Sequence, residues 1–166
     1  MCIRDSPWSV RVNFQPEAAE TPRGHKYDYG AEYGRRGNGL VYGWNRDKQA
    51  DARSKISEYQ SPRGDSHMRV RPGDVWSIKL PSNGWYQVRA LMGEPGVTKD
   101  VSYRVNAEGD RLVFGKPSSF QPFVEGFELL DVNDGVLTLT VADRSLNARL
   151  CTVEISQASA PPATAR

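Results

Sequence analysis

The residue types best suited to recognition chemistry are concentrated between Tyr27 and Asn45, in YDYGAEYGRRGNGLVYGWN. Five aromatic residues (Tyr27, Tyr29, Tyr33, Tyr42 and Trp44) are interleaved there with five glycines, two asparagines and the pair Arg35 and Arg36. Flat rings beside fixed amide and guanidinium donors suit a sugar, whose C–H faces stack on rings while its hydroxyls accept and donate hydrogen bonds. On that reading Tyr33, Tyr42 and Trp44 are the stacking rings, and Arg36, Asn38 and Asn45 fix hydroxyls. The same composition fits a second reading, in which the rings plug one end of a β-sandwich and nothing binds. The apolar positions do not recur at 3.6, and only Leu40 to Trp44 reads as a short strand. Glycine at this density marks positive φ or close backbone approach, so the stretch is expected to be an ordered, irregular loop.

Other chemistries leave weaker traces. Gly64-Asp65-Ser66 matches the start of a GDS-type esterase nucleophile block, but Ser-Pro-Arg precedes it in place of an apolar strand. A serine nucleophile needs a base, and no histidine follows His67. Arg63-Gly64-Asp65 spells an adhesion tripeptide, for which chance is the simpler account. Glu94, Asp100, Glu125 and Glu128 are carboxylates of the type glycosidases pair, and a solvated face explains them equally well. Asp131, Asn133 and Asp134 offer oxygen ligands to a structural calcium, in competition with plain turn formation. His25 and His67 lack the spacing of a zinc site and read as structural. Gly34, Gly37 and Gly39 lack the lysine of a phosphate loop and the βαβ context it requires.

These residues need a scaffold, and the chain is long enough for one domain with a real core, at 166 residues. A net charge of +2 with scattered basic residues argues against nucleic acid as a partner. No apolar run approaches the length of a membrane span, so no membrane insertion is expected. The opening MCIRDS looks like a translated sequencing-adapter fragment of the sort seen in metagenomic reading frames. On that view residues 1–9 are non-native or disordered, Cys2 is an artefact, and the natural N-terminus lies elsewhere. Cys151, within an alternating pattern, is expected to be a small buried hydrophobe.

Alternation supplies the elements. Val10–Gln15 is a first strand, with Val10, Val12 and Phe14 facing the core and Arg11, Asn13 and Gln15 facing away. A short helix is expected around Gln49–Glu58. Strands follow at His67–Val70, Val75–Leu80, Trp85–Met92, Val101–Asn106, Arg111–Phe114, Phe123–Val132, Val136–Val141 and Leu150–Ile155. Pro81-Ser82-Asn83-Gly84 and Asn133-Asp134-Gly135 read as hairpin turns. About nine short strands and at most one short helix make an all-β protein, an antiparallel β-sandwich over residues 10–156. Residues 157–166, rich in Ala and Pro, read as a linker or tail.

The order of motifs carries a resemblance. VNFQP is followed by YGAEYGRRGNGLVYGWN, then HM before VWSIKLPSNGWYQVRALMGEP, then DGVLTLTVADRSLNARLCTVEI. From about Val10 to Ile155 this resembles the malectin-like, galactose-binding-like jelly-roll modules of secreted multidomain bacterial proteins. The resemblance implies a jelly roll without catalysis, no required cofactor, glycan as ligand, and a covalently adjoining module as partner. It also implies an extracellular or cell-surface location. Malectin grips its disaccharide with aromatic residues of early loops, an aromatic pair after a central strand and an aspartate before the last strand. Tyr33, Tyr42 and Trp44 occupy the matching early region. After the central strand this chain has Met92-Gly93-Glu94-Pro95, where Glu94 is the polar candidate. Leu146 stands in place of the aspartate, with Asn147 beside it.

Overall fold

The computed structural model describes residues 7–54, 66–94 and 100–161. They form thirteen strands and one 3-10 turn. In order these are β1 (Ser9–Phe14), β2 (Lys26–Asp28), β3 (Gly34–Arg35), β4 (Val41–Trp44), the 3-10 turn (Gln49–Asp51) and β5 (Ala52–Ser54). Then come β6 (Ser66–Val70), β7 (Val75–Lys79), β8 (Gly84–Gly93), β9 (Tyr103–Ala107) and β10 (Asp110–Gly115). The set ends with β11 (Phe123–Val132), β12 (Val136–Val141) and β13 (Ala148–Ala158). The expected strands are all present. Those the alternation misses, β2, β3 and β5, are two or three residues long, too short to show a period. The helix expected from Gln49 is a single 3-10 turn that gives way to β5, and its remainder lies outside the described residues.

Two sheets face each other. One runs β11-β8-β13-β1-β2, and β13 is long enough that β6, carrying β5, pairs with its start beyond the reach of β1. The other runs β10-β9-β12-β7-β4-β3. All pairings are antiparallel except that of β2, which lies parallel to β1 with Asn13 opposite Tyr27. The protein is therefore an all-β sandwich. β13 continues through Ala158, opposite Trp85, so the sheet runs two residues past the expected domain end.

Two of the expected hairpins are something else. β7 and β8 lie in different sheets, as do β11 and β12. Asn83-Gly84 and Asp134-Gly135 thus turn the chain from one sheet to the other. A two-residue type I′ hairpin needs positive φ at both central residues, and Asn83 and Asp134 are not among the residues that have it. Glu108 and Gly109 are, at φ 50° and 82°, and there β9 and β10 do pair across the turn. The two inter-sheet turns abut, since the Leu80 amide donates to the Gly135 carbonyl at 2.8 Å.

Period-2 alternation sends Trp76 and Ile78 of β7, and Tyr86, Val88, Ala90 and Met92 of β8, into the space between the sheets. Phe14 meets Trp44 and Trp76 edge-on, with ring centroids 5.7 and 5.6 Å apart. Edge-to-face rings gain electrostatically beyond their burial. β1 is buried on both faces at its end: Asn13 and Gln15, expected to face water, are covered. The Asn13 amide donates to Gln15 and to Ser66 Oγ, and the Gln15 amide donates to the Ala19 carbonyl. Hydrogen bonding is what makes that burial tolerable. Cys151 is buried, its thiol on the Gly93 carbonyl at 3.2 Å.

Candidate functional site

The aromatic stretch is built around a carboxylate. Asp28, 1% exposed, ends β2, and its two neighbours Tyr27 and Tyr29 point the other way. Its Oδ1 accepts the Gly30 amide at 2.7 Å and Trp44 Nε1 at 3.2 Å, while Oδ2 accepts Trp76 Nε1 at 2.8 Å. Burial pushes the Asp28 carboxyl above its ordinary value, and the three N–H donors and the Arg36 charge hold that rise back. Gly30 is the hinge of this turn. Its φ is 98°, its carbonyl accepts the Lys48 amide, and a Cβ there would overlap the Lys48 backbone.

On the far side of Trp44 lies a second buried charge. Lys48 is fully buried, and its ammonium donates to Asp74 at 2.6 Å, Asp51 at 3.1 Å and the Arg69 carbonyl at 2.8 Å. It also lies over the Trp44 ring, 5.1 Å from the centroid. Arg46 joins Asp74 at 2.9 Å. Burial alone would raise the Asp74 and Asp51 carboxyls, but Lys48 and the neighbouring arginines bring both below the usual range.

Two of the three expected stacking rings are therefore core. Tyr42 and Trp44 are 1% and 2% exposed, and β4 directs both between the sheets, where Trp44 spends its N–H on Asp28. Neither presents a face to a ligand. Gly43 between them faces outward and is covered by the Arg36 guanidinium, which donates to the Ala31 and Glu32 carbonyls. Arg36 thus closes the stretch on itself, stacked over Tyr42 at 5.2 Å. Asn45 accepts the Val75 amide and donates to the Gly73 carbonyl, both at 3.0 Å, pinning β4 to the β6–β7 turn. Both polar atoms of its amide are committed there. Tyr33 is the expected ring that does stand open, at 44% exposure.

What opens instead is the outward face of β2. A cavity of about 220 Å³ lies between it and the β3–β4 hairpin, where the edges of the two sheets meet. Tyr27 and Tyr29 form one wall, with ring centroids 5.9 Å apart and planes tilted by 32°. Arg35, Arg36 and Asn38 form the other, and Glu17 stands at the rim. Tyr42 supplies the floor with its hydroxyl, which accepts the Asn38 amide at 3.3 Å and donates to the Tyr27 carbonyl at 2.6 Å. Burial holds that phenol above its ordinary value, so it stays a donor.

The remaining candidates lie elsewhere. Glu94 is buried and ion-paired with Arg149, which removes it from the role of hydroxyl acceptor. Asn147 has φ 49° and donates to the Asp100 carbonyl at 2.9 Å; it lines a separate cleft of about 380 Å³ with the β6–β7 turn. Asp134 accepts the Val136 amide at 3.2 Å and so shapes its turn, and Asp131 sits within β11 opposite Trp85. Among the described residues no three His, Cys, Asp or Glu side chains converge as metal ligands. Ser66 is buried inside β6 and accepts the Asn13 amide; the next residue, His67, points to the opposite face of that strand, so the two form no dyad. Glu125 and Glu128, three apart on β11, likewise point to opposite faces. Arg63, Gly64 and Asp65 lie outside the described residues.

Sequence reasoning missed Asp28, Lys48 and Asp74. Asp28 stands in a single Tyr-Asp-Tyr alternation, in a strand too short to establish a period. Lys48 carries no signal.

No protein-family model matches the chain, and no curated protein matches its sequence. Its likenesses are to solved structures. A chain in the crystal structure of the plant peptide RALF23 in complex with FER and LLG2 superposes with a TM-score of 0.61 at 15% identity. That match covers 94% of this protein and 41% of the other chain. The Bacteroides uniformis β-glucuronidase 2 matches with a TM-score of 0.56 at 9% identity, over 89% of this protein and 17% of the enzyme. A family 35 carbohydrate-binding module from Clostridium thermocellum gives a TM-score of 0.41 at 14% identity, over 63% of this protein and 87% of the module. This chain spans well under half of the first two proteins, and what they have in common with it is the fold, a two-sheet β-sandwich.

Proposed function

We propose that the protein is a non-catalytic, carbohydrate-binding module whose site is the cavity between β2 and the β3–β4 hairpin. One observation carries the reading: two tyrosine rings, Tyr27 and Tyr29, stand side by side on a concave surface that faces guanidinium and amide donors. A pyranose placed there would lay its C–H face on the tyrosines. Arg35 would meet its hydroxyls, with Glu17 accepting at the rim; Asn38, whose Oδ1 accepts the Leu40 amide and whose Nδ2 donates to Tyr42, has one N–H left to add. Arg36 and Tyr42 hold this wall in shape through contacts already made within the protein. At about 220 Å³ the cavity is smaller than the roughly 300–1,000 Å³ of a typical small-molecule pocket, which suits modest affinity. A module of this kind adds effective concentration to a covalently attached partner at its polymer. On this reading the partner is an enzyme or surface protein and the setting is extracellular. A sandwich of this shape within a β-glucuronidase chain fits such an arrangement.

The burial of Tyr42 and Trp44 favours a rival, a structural spacer without ligand. Tyr27→Ala and Tyr29→Ala variants, screened with the parent on a glycan array, separate the two. Binding by the parent that both variants lose, with circular dichroism unchanged, supports the site. Absence of binding by the parent across plant, algal and bacterial glycans would leave the spacer.

A further inference from the structure

The cleft that Asn147 lines, where the β6–β7 turn meets the start of β13, has chemistry of its own. Its charged wall consists of Arg69, Arg71 and Arg149, and none of its lining residues is acidic. Arg69 and Arg149 are directly opposite on antiparallel strands. Residues so placed share a face, their Cβ atoms about 5 Å apart, and like charges there repel. The next residues, Val70 and Ala148, are buried in the core, and Arg69 stands exposed, while Arg149 is largely covered, its side chain 11% exposed. Arg149 is answered by the buried carboxylate of Glu94 and donates to the Asn147 carbonyl. Among the described residues no carboxylate pairs with Arg69. Arg71 reaches Asp51 at 3.3 Å, but Asp51 and Asp74 already serve Lys48 and Arg46. Among the described residues three cations there, Lys48, Arg46 and Arg71, face two carboxylates, and the surplus is positive.

We propose that this cleft is a second binding site, for an anionic group carried on a sugar: the carboxylate of a uronate or the sulfate of a sulfated residue. A planar guanidinium presents paired N–H donors that match either group, and the resulting bonds are charge-assisted. An oxyanion held between Arg69 and Arg71, the two exposed guanidinium groups of the cleft, gains two attractive contacts while Arg149 keeps its pair with Glu94. The Asn147 amide and the apolar Leu146 and Pro72 then meet the ring that bears the anion. At about 380 Å³ the cleft exceeds what an isolated oxyanion needs. The anion chemistry stands on the arginines alone; that a sugar carries it rests on the glycan-binding reading above.

Titrating the ¹⁵N-labelled protein with oligogalacturonate, a sulfated oligosaccharide, a neutral galactan oligosaccharide, a glutamate-rich peptide and sodium sulfate tests it. The acidic sugars are expected to shift the Arg69 and Asn147 resonances and to bind about tenfold less tightly to Arg69→Gln. Arg71→Gln should weaken them less, added salt should weaken them in the parent, and Tyr27→Ala should leave those shifts in place. Acidic sugars that bind no better than the neutral one, or equally well to Arg69→Gln, would overturn the proposal. So would a peptide that binds as tightly as the sugars, or sulfate ion that binds while the sugars do not. Neutral sugars bound through Tyr27, with no effect at Arg69, would sink this site and leave the other. Acidic sugars bound at Arg69, with nothing lost in Tyr27→Ala and no neutral binding, would do the reverse.

Discussion

Tyr27 and Trp44 bound one aromatic, glycine-rich stretch, yet Tyr27 is 40% exposed and Trp44 is 2% exposed. β2 points Tyr27 out and its aspartate in, and Tyr29, just past its end, points out as well. β4 points Tyr42 and Trp44 in and a glycine out. Composition is the same at both ends, and the phase of the alternation decides which end belongs to the core. The core-directed half is tied to buried charges on both sides of Trp44, Asp28 and Lys48. The outward half is held by the backbone pairing of β2 with β1, by the Tyr42 hydroxyl and by the Asn38 amide. An aromatic loop of this kind is thus two structures joined by a hinge at Gly30, one that carries stability and one that is available to a ligand.

The largest effect is expected at the inward end. Trp44→Ala removes a fully buried ring, leaves a cavity against Phe14 and takes a donor from Asp28. Large-to-small changes of this type cost about 3–5 kcal/mol, a large share of the ~5–15 kcal/mol that holds a domain together. Urea denaturation monitored by tryptophan fluorescence should show the midpoint collapse or the variant fail to fold. A loss below about 1 kcal/mol would mean that the inward half is not the structural one.

The charged node should respond next. Asp74→Asn leaves the Lys48 ammonium, which is wholly buried, short of a counter-charge, and breaking such a pair costs about 3 kcal/mol. The parent's acid response follows from the same contacts. Asp74 and Asp51 have carboxyls lowered from the usual 3.8. Their contribution is therefore complete above that value and is lost as pH falls below it toward their folded values. Asp28 has the opposite sign: raised by burial, it favours the folded state most when protonated, and that gain fades as pH rises through its folded value. Denaturation midpoints measured between pH 2.5 and pH 6, a range chosen to span about the usual carboxylate values, should fall steeply on the acid side in the parent. They should fall less in Asp74→Asn. Equal acid sensitivity in both would mean that the Lys48 node does not set it.

Much of this architecture was legible in the chain. The long alternating runs at β7, β8, β12 and β13 fix which side chains enter the core, because a one-residue slip would turn every one of them outward. Which sheet each strand joins was not legible. Asn83-Gly84 and Asp134-Gly135 announce a reversal of direction, and the same dipeptides serve a hairpin or a passage between sheets. The site was harder still. β2 and β3 are too short to display a period, so Tyr27 and Tyr29 looked like the rest of the aromatic stretch, and Tyr42 and Trp44 looked more available than they are. Asn13 and Gln15 misled in the same way: their polarity says water, and a network with Ser66 and the Ala19 carbonyl keeps them buried.

The smallest effect on stability is expected at the outward end, and it sharpens the comparison most. Tyr27→Ala removes an exposed ring whose one close ring contact is with Tyr29; surface substitutions of this kind cost well under about 1 kcal/mol. Its carbonyl, which accepts the Tyr42 hydroxyl, belongs to the backbone and survives the substitution. The variant should therefore keep the parent's urea midpoint while losing retention on whichever glycan the parent binds. Affinity electrophoresis through that polysaccharide, run beside the denaturation curve, reads both properties on one sample. A variant that keeps its retention would break the link between exposure and binding. One that unfolds with Trp44→Ala would show that β2 holds the sandwich edge through its outward face as well as through Asp28.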